Sequence, residues 1–255
     1  MSGAATSVPY VQVQTRREPA GPGRQGLIWQ LLTESLSAVT PAGQAPSVLD
    51  CGGGSGSFAV PLAQAGGSVT VVDVSVDALA TLRRRADEAG VGAQVHAVQG
   101  DVEALGEAIG SATFDLVLAH GILGAVEQVA LAFAAIAAAV RPGGRLSVLV
   151  TNPVAGVLAR ALAGDLDAAL AELRGLRTDF GHPGPQAVQV LCREHGLVVE
   201  SRHGIGVFAD LVPGRALDLP GARDALEQLE AESATRAPFS DIAGKVHLLA
   251  RRPAG

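Results

Sequence analysis

The sequence predicts an α/β fold built on a parallel sheet covered on both faces. Three observations predict it. Short, strongly apolar runs alternate with segments of helical spacing, which is the pattern of strands buried on both sides. Hydrophobic residues make up 48% of the 255 residues and charged residues 17%, enough apolar material for a large core. An apolar run ends in "VLDCGGGSG", where an acid is followed by glycine at four of the next six positions. A chain is built that way where its backbone must pass close to something.

In chain order, the first ~20 residues are rich in Gly, Pro, Gln and Thr and predict a loose arm over 1–22. Arg24 to Ala38 has helical apolar spacing and ends at "TPAGQAP". "SVLD" predicts a first strand and Gly56 to Gln64 a helix. "SVTVVD" predicts a second strand, with the helix Val76 to Ala89 after it. "AQVHAV" and "FDLVLAH" are the third and fourth strands, Glu127 to Val140 a helix, and "GGRLSVLV" the fifth strand. Beyond Val150 the alternation breaks. Pro153 to Arg177 predicts one or two helices, and a loop "DFGHPGP" leads into a helix ending near His195. "LVVESRHGIGVFAD", Ala222 to Ala234 and "KVHLLARR" complete the chain as strand, helix and strand. The expected organisation is one domain over 23–255 with a helical insertion at 152–184.

Composition excludes several classes. No apolar stretch reaches the ~20 residues of a membrane span, and the N-terminus lacks the pattern of a signal peptide, so a cytoplasmic protein without membrane contact is expected. The formal net charge of −6 gives no global basic field for nucleic acid. Cys51 and Cys192 have no partners at metal-ligand spacing, so no metal is expected and both are small buried side chains. Trp29 is a packing residue of the first helix. Arg83 to Arg85 and the arginines 160, 174 and 177 are read as solvated charge.

The glycine loop joins the first strand to the first helix of the sheet, at the edge where strand order would reverse. Gly52, Gly53, Gly54 and Gly56 let a ligand lie against bare backbone, and the next helix would turn its amides toward it. Asp73, with Val74 beside it, ends the second strand at the distance where an acid binds ribose hydroxyls. Gly54-x-Gly56-x-x-Ala59 satisfies the dinucleotide fingerprint, so NAD stays open as a rival cofactor. Asp50 argues for another. A carboxylate projecting into the crevice suits the ammonium group of S-adenosylmethionine better than a pyrophosphate.

"VLDCGGGSG", "VVDVS", "QGDVEAL", "FDLVLAHGIL" and "VRPGGRLSVLV", in that order, resemble the motifs of class I S-adenosylmethionine-dependent methyltransferases. The resemblance implies a Rossmann-like, doubly wound seven-stranded sheet whose last strand is antiparallel and inserts beside the fifth. It also implies that Asp101 and Val102 flank adenine. The segments "RQGLIWQLL", "AHGIL", "TNPVAGVLARALAGDL" and "GIGVFADL" further resemble the branch that methylates the carboxylate of 5-carboxymethoxyuridine in tRNA. That branch implies cofactor contacts from Arg24 and His120.

His120 ends the fourth strand and is expected to position rather than to remove a proton, because a carboxylate acceptor is already anionic. A hydroxyl acceptor would need a base, and His120 or His182 would supply it. Asn152 follows the fifth strand and is expected to touch substrate. The chain departs from the branch at Gly124, Ala125, Thr151 and Gly206, where an acid, two aromatics and an arginine are usual. A tRNA and a small-molecule acceptor therefore both stay open, as does a cofactor-binding regulatory protein without chemistry.

Overall fold

A computed structural model describes residues 24–40, 44–175, 183–209 and 211–254, with Arg24 and Gln25 described as backbone only. The arm, Arg177 and His182 lie outside the described residues. The strands are β1 (Ser47–Cys51), β2 (Ser68–Asp73), β3 (Val95–Gln99), β4 (Phe114–His120), β5 (Val140–Thr151), β6 (Val198–Ile205) and β7 (Lys245–Arg251). The helices are α1 (Arg24–Val39), α2 (Ala59–Gln64), α3 (Val76–Glu88), α4 (Leu105–Ile109), α5 (Val129–Ala138), α6 (Pro153–Leu162), α7 (Leu166–Gly175), α8 (Pro185–Glu194) and α9 (Ala222–Ser233).

The strands form one seven-stranded sheet in the order β3-β2-β1-β4-β5-β7-β6. β1 pairs in parallel with both β2 and β4, so the strand order reverses at β1. β7 runs antiparallel between β5 and β6, as the resemblance implied. Every residue of β4 but His120 is buried, as expected of a central strand covered on both faces. One face packs Phe133 and Ile136 of α5 and Val188 and Cys192 of α8 against the sheet. The other packs Ile28, Leu32 and Leu36 of α1 with residues of α2 and α3, and Trp29 packs at its margin. Both cysteines are fully buried.

Several boundaries differ from expectation, each for a local reason. α2 starts at Ala59 rather than Gly56, because residues 54–58 form turns. α5 starts at Val129, where the Glu103 carboxylate accepts the amides of Glu127 and Gln128 at 2.6 and 2.8 Å and holds them out of the helix. β5 begins three residues early at Val140. β6 stops at Ile205 rather than continuing to Asp210. Gly206 turns the chain at φ +73°, and the amides of Val207, Phe208 and Ala209 all point at the Glu230 carboxylate of α9, at 2.7–2.9 Å. The arginine usual at this position in the resembling branch would carry a strained backbone at that φ.

After β5, α6 and α7 form a helical hairpin that packs chiefly on itself. Asn152 caps α6, Asp165 accepts the amide of Ala168 at the start of α7, and Arg160 pairs with Glu172 across the hairpin.

Candidate active site

Because β1 lies between β2 and β4, the chain segments leaving β1, β2, β3 and β4 stand side by side at the carboxyl edge of the sheet. This row holds the glycine loop, Asp73 and Val74, Asp101 and Val102, and His120. The topology thus brings together most of the residues singled out from the sequence.

The loop is pinned from several sides. Gly52 donates its amide to the Val72 carbonyl at 2.7 Å, and Gly54 donates to Asp73 Oδ2 at 2.8 Å. Gly52, Gly54 and Gly56 all have positive φ, between 56° and 80°. A side chain at Gly53 would collide with the Asp50 carboxylate and with Val71, and one at Gly52 would meet Ile122 at 2.7 Å. These glycines therefore serve internal packing as well as a bare outer surface. Arg85 adds a brace by donating to the Ser55 carbonyl at 2.9 Å.

Asp50 departs from expectation. It is only 2% exposed and its carboxylate lies beneath Gly53, under the loop rather than out in the crevice. Asp73 fits a ribose-binding role in part. Oδ2 takes the Gly54 amide and Oδ1 the Ser75 amide at 2.9 Å, and the residue keeps 8% exposure. Each carboxylate oxygen has a second lone pair for a hydroxyl. Next to it Val74 is 64% exposed, an apolar surface suited to the face of a base. Asp101 is exposed and caps its own turn through Glu103 N at 2.9 Å. Val102 is 3% exposed and packs in the core. Arg24 opens α1, and its side chain lies outside the described residues.

A family model described as "Methyltransferase domain" matches residues 48–144. The tRNA 5-carboxymethoxyuridine methyltransferase of Escherichia coli K12 is 27% identical over 238 residues, covering 90% of this chain and 88% of that protein. Among solved structures, a magnesium protoporphyrin IX methyltransferase from Synechocystis PCC 6803 superposes with TM-score 0.57 at 16% identity, over 89% of this chain and 81% of that one. An S-adenosylmethionine-dependent methyltransferase from Mesorhizobium loti superposes with TM-score 0.55 at 19% identity, over 86% and 96%. The structural likenesses bear on the fold; the sequence match covers the loop, Asp73, Asp101 and His120. Residues 48–144 thus match a methyltransferase domain, and the chain has the fold of solved S-adenosylmethionine-dependent methyltransferases.

In this fold His120 sits against the start of α2. Its ring meets Phe58 edge-on, with centroids 4.8 Å apart. Its Nε2 lies 2.7 Å from Ser147 Oγ of β5. Burial, with the charge of Lys245 adding, pulls its pKa down to about 3, so the ring is neutral. A base so weak is poorly suited to removing a proton from a hydroxyl.

Asn152 is corrected from substrate contact to a structural clamp. It is 4% exposed, its amide nitrogen donates to the carbonyls of Asp241 and Ala243 at 2.8 and 2.9 Å, and its oxygen accepts from Val154 N. Both donors are thereby used inside the protein. In the arginine run Arg83 and Arg84 are exposed, as expected, and only Arg85 departs from the solvated reading. Arg84 pairs with Glu88 on the surface, Arg83 reaches the Ala97 carbonyl and Arg85 the glycine loop. Sequence reasoning missed Ser147 and His247. The available signal was a lone polar residue inside each of two apolar strands, "RLSVLV" and "KVHLLA".

A cavity of about 390 Å³, lined by Thr113, Val140, Pro142, His195 and Arg252, lies at the opposite edge of the sheet. It contains none of the residues of the candidate site. Among the described residues no cluster of side chains is suited to a metal ion, and no helix is long and apolar enough to cross a membrane.

Proposed function

We propose that this methyltransferase esterifies a carboxylate, and that the carboxylate is that of 5-carboxymethoxyuridine in tRNA. The observation that carries the reading is the similarity to the Escherichia coli tRNA enzyme over 90% of the chain, including the segments that follow β4 and β5. The glycine loop, Asp73, Val74 and the Asp101–Val102 turn would hold S-adenosylmethionine. When bound, that cofactor supplies a methyl group on a cationic sulfonium. A carboxylate acceptor needs no proton removed, which agrees with a neutral His120 of depressed pKa. The chain's contribution is then alignment and exclusion of water.

A second reading, a small apolar acceptor, draws on the hairpin. Leu158, Leu162, Leu166, Leu170 and Leu173 are all more than 40% exposed there. Arg145, Arg202 and Arg251 are held in ion pairs rather than spread as a phosphate-binding surface. One assay separates the two readings. Methyl-labelled cofactor is incubated with tRNA carrying 5-carboxymethoxyuridine and, separately, with a metabolite extract. The proposal expects label in tRNA that mild alkali releases as methanol, the behaviour of an ester. Label confined to the metabolite fraction would reject tRNA in favour of the second reading. Label in neither would reject both and favour a regulatory cofactor-binding protein.

A further inference from the structure

Beyond the glycine loop, the sheet carries a polar track that neither the fold nor the loop requires. His120 of β4, Ser147 of β5 and His247 of β7 are joined by two hydrogen bonds of 2.7 Å, from each histidine Nε2 to the same Ser147 hydroxyl. His203 of β6 continues the line, its ring 5.9 Å from that of His247. Ser147 and His247 have no exposure at all, and they lie on the α1 side of the sheet among Leu32, Leu118 and Leu149. The Ser35 hydroxyl on α1 bonds to its own helix at the Leu31 carbonyl, so it does not compete for the track. Apolar residues at 147 and 247 would satisfy the core without any buried polar atom to partner.

The chemistry of the shared hydroxyl constrains both rings. A serine hydroxyl has one proton to donate. Burial keeps both imidazoles neutral. Where Ser147 donates to the bare Nε2 of one ring, its oxygen accepts the Nε2–H of the other, so that its proton and a lone pair are both used. In that arrangement the two histidines carry opposite tautomers, and a change in one is coupled to a change in the other. The second nitrogen of His120, Nδ1, is buried and makes no hydrogen bond to the described residues. Nδ1 of His203 and His247 is buried and unpartnered in the same way, but only His120 stands at a strand end beside the glycine loop.

We infer that Ser147 and His247 are positioning residues, which set whether Nδ1 of His120 presents a lone pair or an N–H to whatever binds beside the glycine loop. The inference rests on the reading that His120 borders the cofactor. It assigns work to two side chains that never touch a ligand. The geometry is a relay rather than a metal centre, since both Nε2 atoms converge on one hydroxyl.

The test uses the full chain labelled with nitrogen-15 at histidine. Long-range proton–nitrogen spectra distinguish Nδ1–H from Nε2–H, with His120→Gln and His247→Gln giving the assignments. S-adenosylhomocysteine binding is measured by calorimetry on the same samples. The expected result is opposite neutral tautomers for His120 and His247 in the unsubstituted chain. Ser147→Ala should change the His120 tautomer ratio and weaken S-adenosylhomocysteine about fivefold, the effect of one hydrogen bond. Ser147→Thr, which keeps the hydroxyl, should restore both. Identical tautomers on the two rings, or a Ser147→Ala spectrum with unchanged His120 nitrogens, would overturn the relay. A shifted tautomer with unchanged affinity would overturn its link to the site. Failure of the unsubstituted chain to bind S-adenosylhomocysteine would instead overturn the cofactor reading on which the role rests.

Discussion

Asp73 and Gly54, nineteen residues apart, are joined by a buried hydrogen bond of 2.8 Å from the glycine amide to the Asp73 carboxylate. The residue expected to hold a ribose therefore also holds the loop beneath it. Substitution at Asp73 should damage two things together. Asp73→Ala should cost about 1.5–3 kcal/mol of stability, as loss of hydrogen bonds to a charged group does. It should also lower S-adenosylhomocysteine affinity by more than about tenfold. Chemical denaturation and calorimetry on the same preparation check both. A loss of affinity with unchanged stability would mean that the carboxylate serves the ligand alone.

Glu230 should behave as the anchor of the turn that follows β6. Three backbone amides, from Val207, Phe208 and Ala209, share its buried carboxylate. Glu230→Ala orphans all three and should destabilise by about 3 kcal/mol or more, in line with uncompensated buried polar groups. Hydrogen exchange should accelerate at those amides in Glu230→Gln while β1 and β4 stay protected.

Asn152 separates a clamp from a substrate contact. Its amide nitrogen faces two carbonyls. Asn152→Asp would set a carboxylate against them and should unfold more readily than Asn152→Ala, which should cost about 1–3 kcal/mol. Cofactor affinity of the folded alanine variant should stay within about twofold of the parent, a shift of ~0.4 kcal/mol.

Acid should destabilise the fold before the carboxylates titrate. In the native chain burial holds His120 and His247 neutral, His120 with a pKa of about 3, below the ordinary 6.5. Below about pH 6.5 the unfolded chain binds protons that the native chain refuses, so stability falls as pH falls. Above that pH neither state is protonated and the contribution is flat. The slope approaches ~1.4 kcal/mol per pH unit for each such histidine. Denaturation midpoints between pH 7.5 and 5 should show the decline, and His247→Gln should make it shallower.

Much of this was readable from the sequence because it rests on local, periodic signals. The alternation of apolar strands and helices predicted the sheet, and the resemblance supplied its antiparallel last strand. The row formed by the glycine loop, Asp73 and His120 follows from strand ends that any such sheet brings to one edge. What was not readable depends on partners distant in sequence. Nothing near Asn152 announces that its amide is used by the carbonyls of Asp241 and Ala243. Asp50 is drawn beneath Gly53 by a turn whose path residue types do not specify. Ser147 and His247 are one hundred residues apart and meet only because β7 inserts beside β5. The stop at Ile205 needed knowledge that a glutamate on α9 takes the amides of Val207, Phe208 and Ala209.

The central claim is that the glycine loop and Asp73 form a site for S-adenosylmethionine and not for a dinucleotide. Calorimetric titration of the full chain with S-adenosylhomocysteine and, separately, with NAD tests it most directly. One S-adenosylhomocysteine should bind per chain, binding should be lost in Asp73→Ala, and NAD should give no heat. Saturable binding of NAD with none of S-adenosylhomocysteine would contradict it.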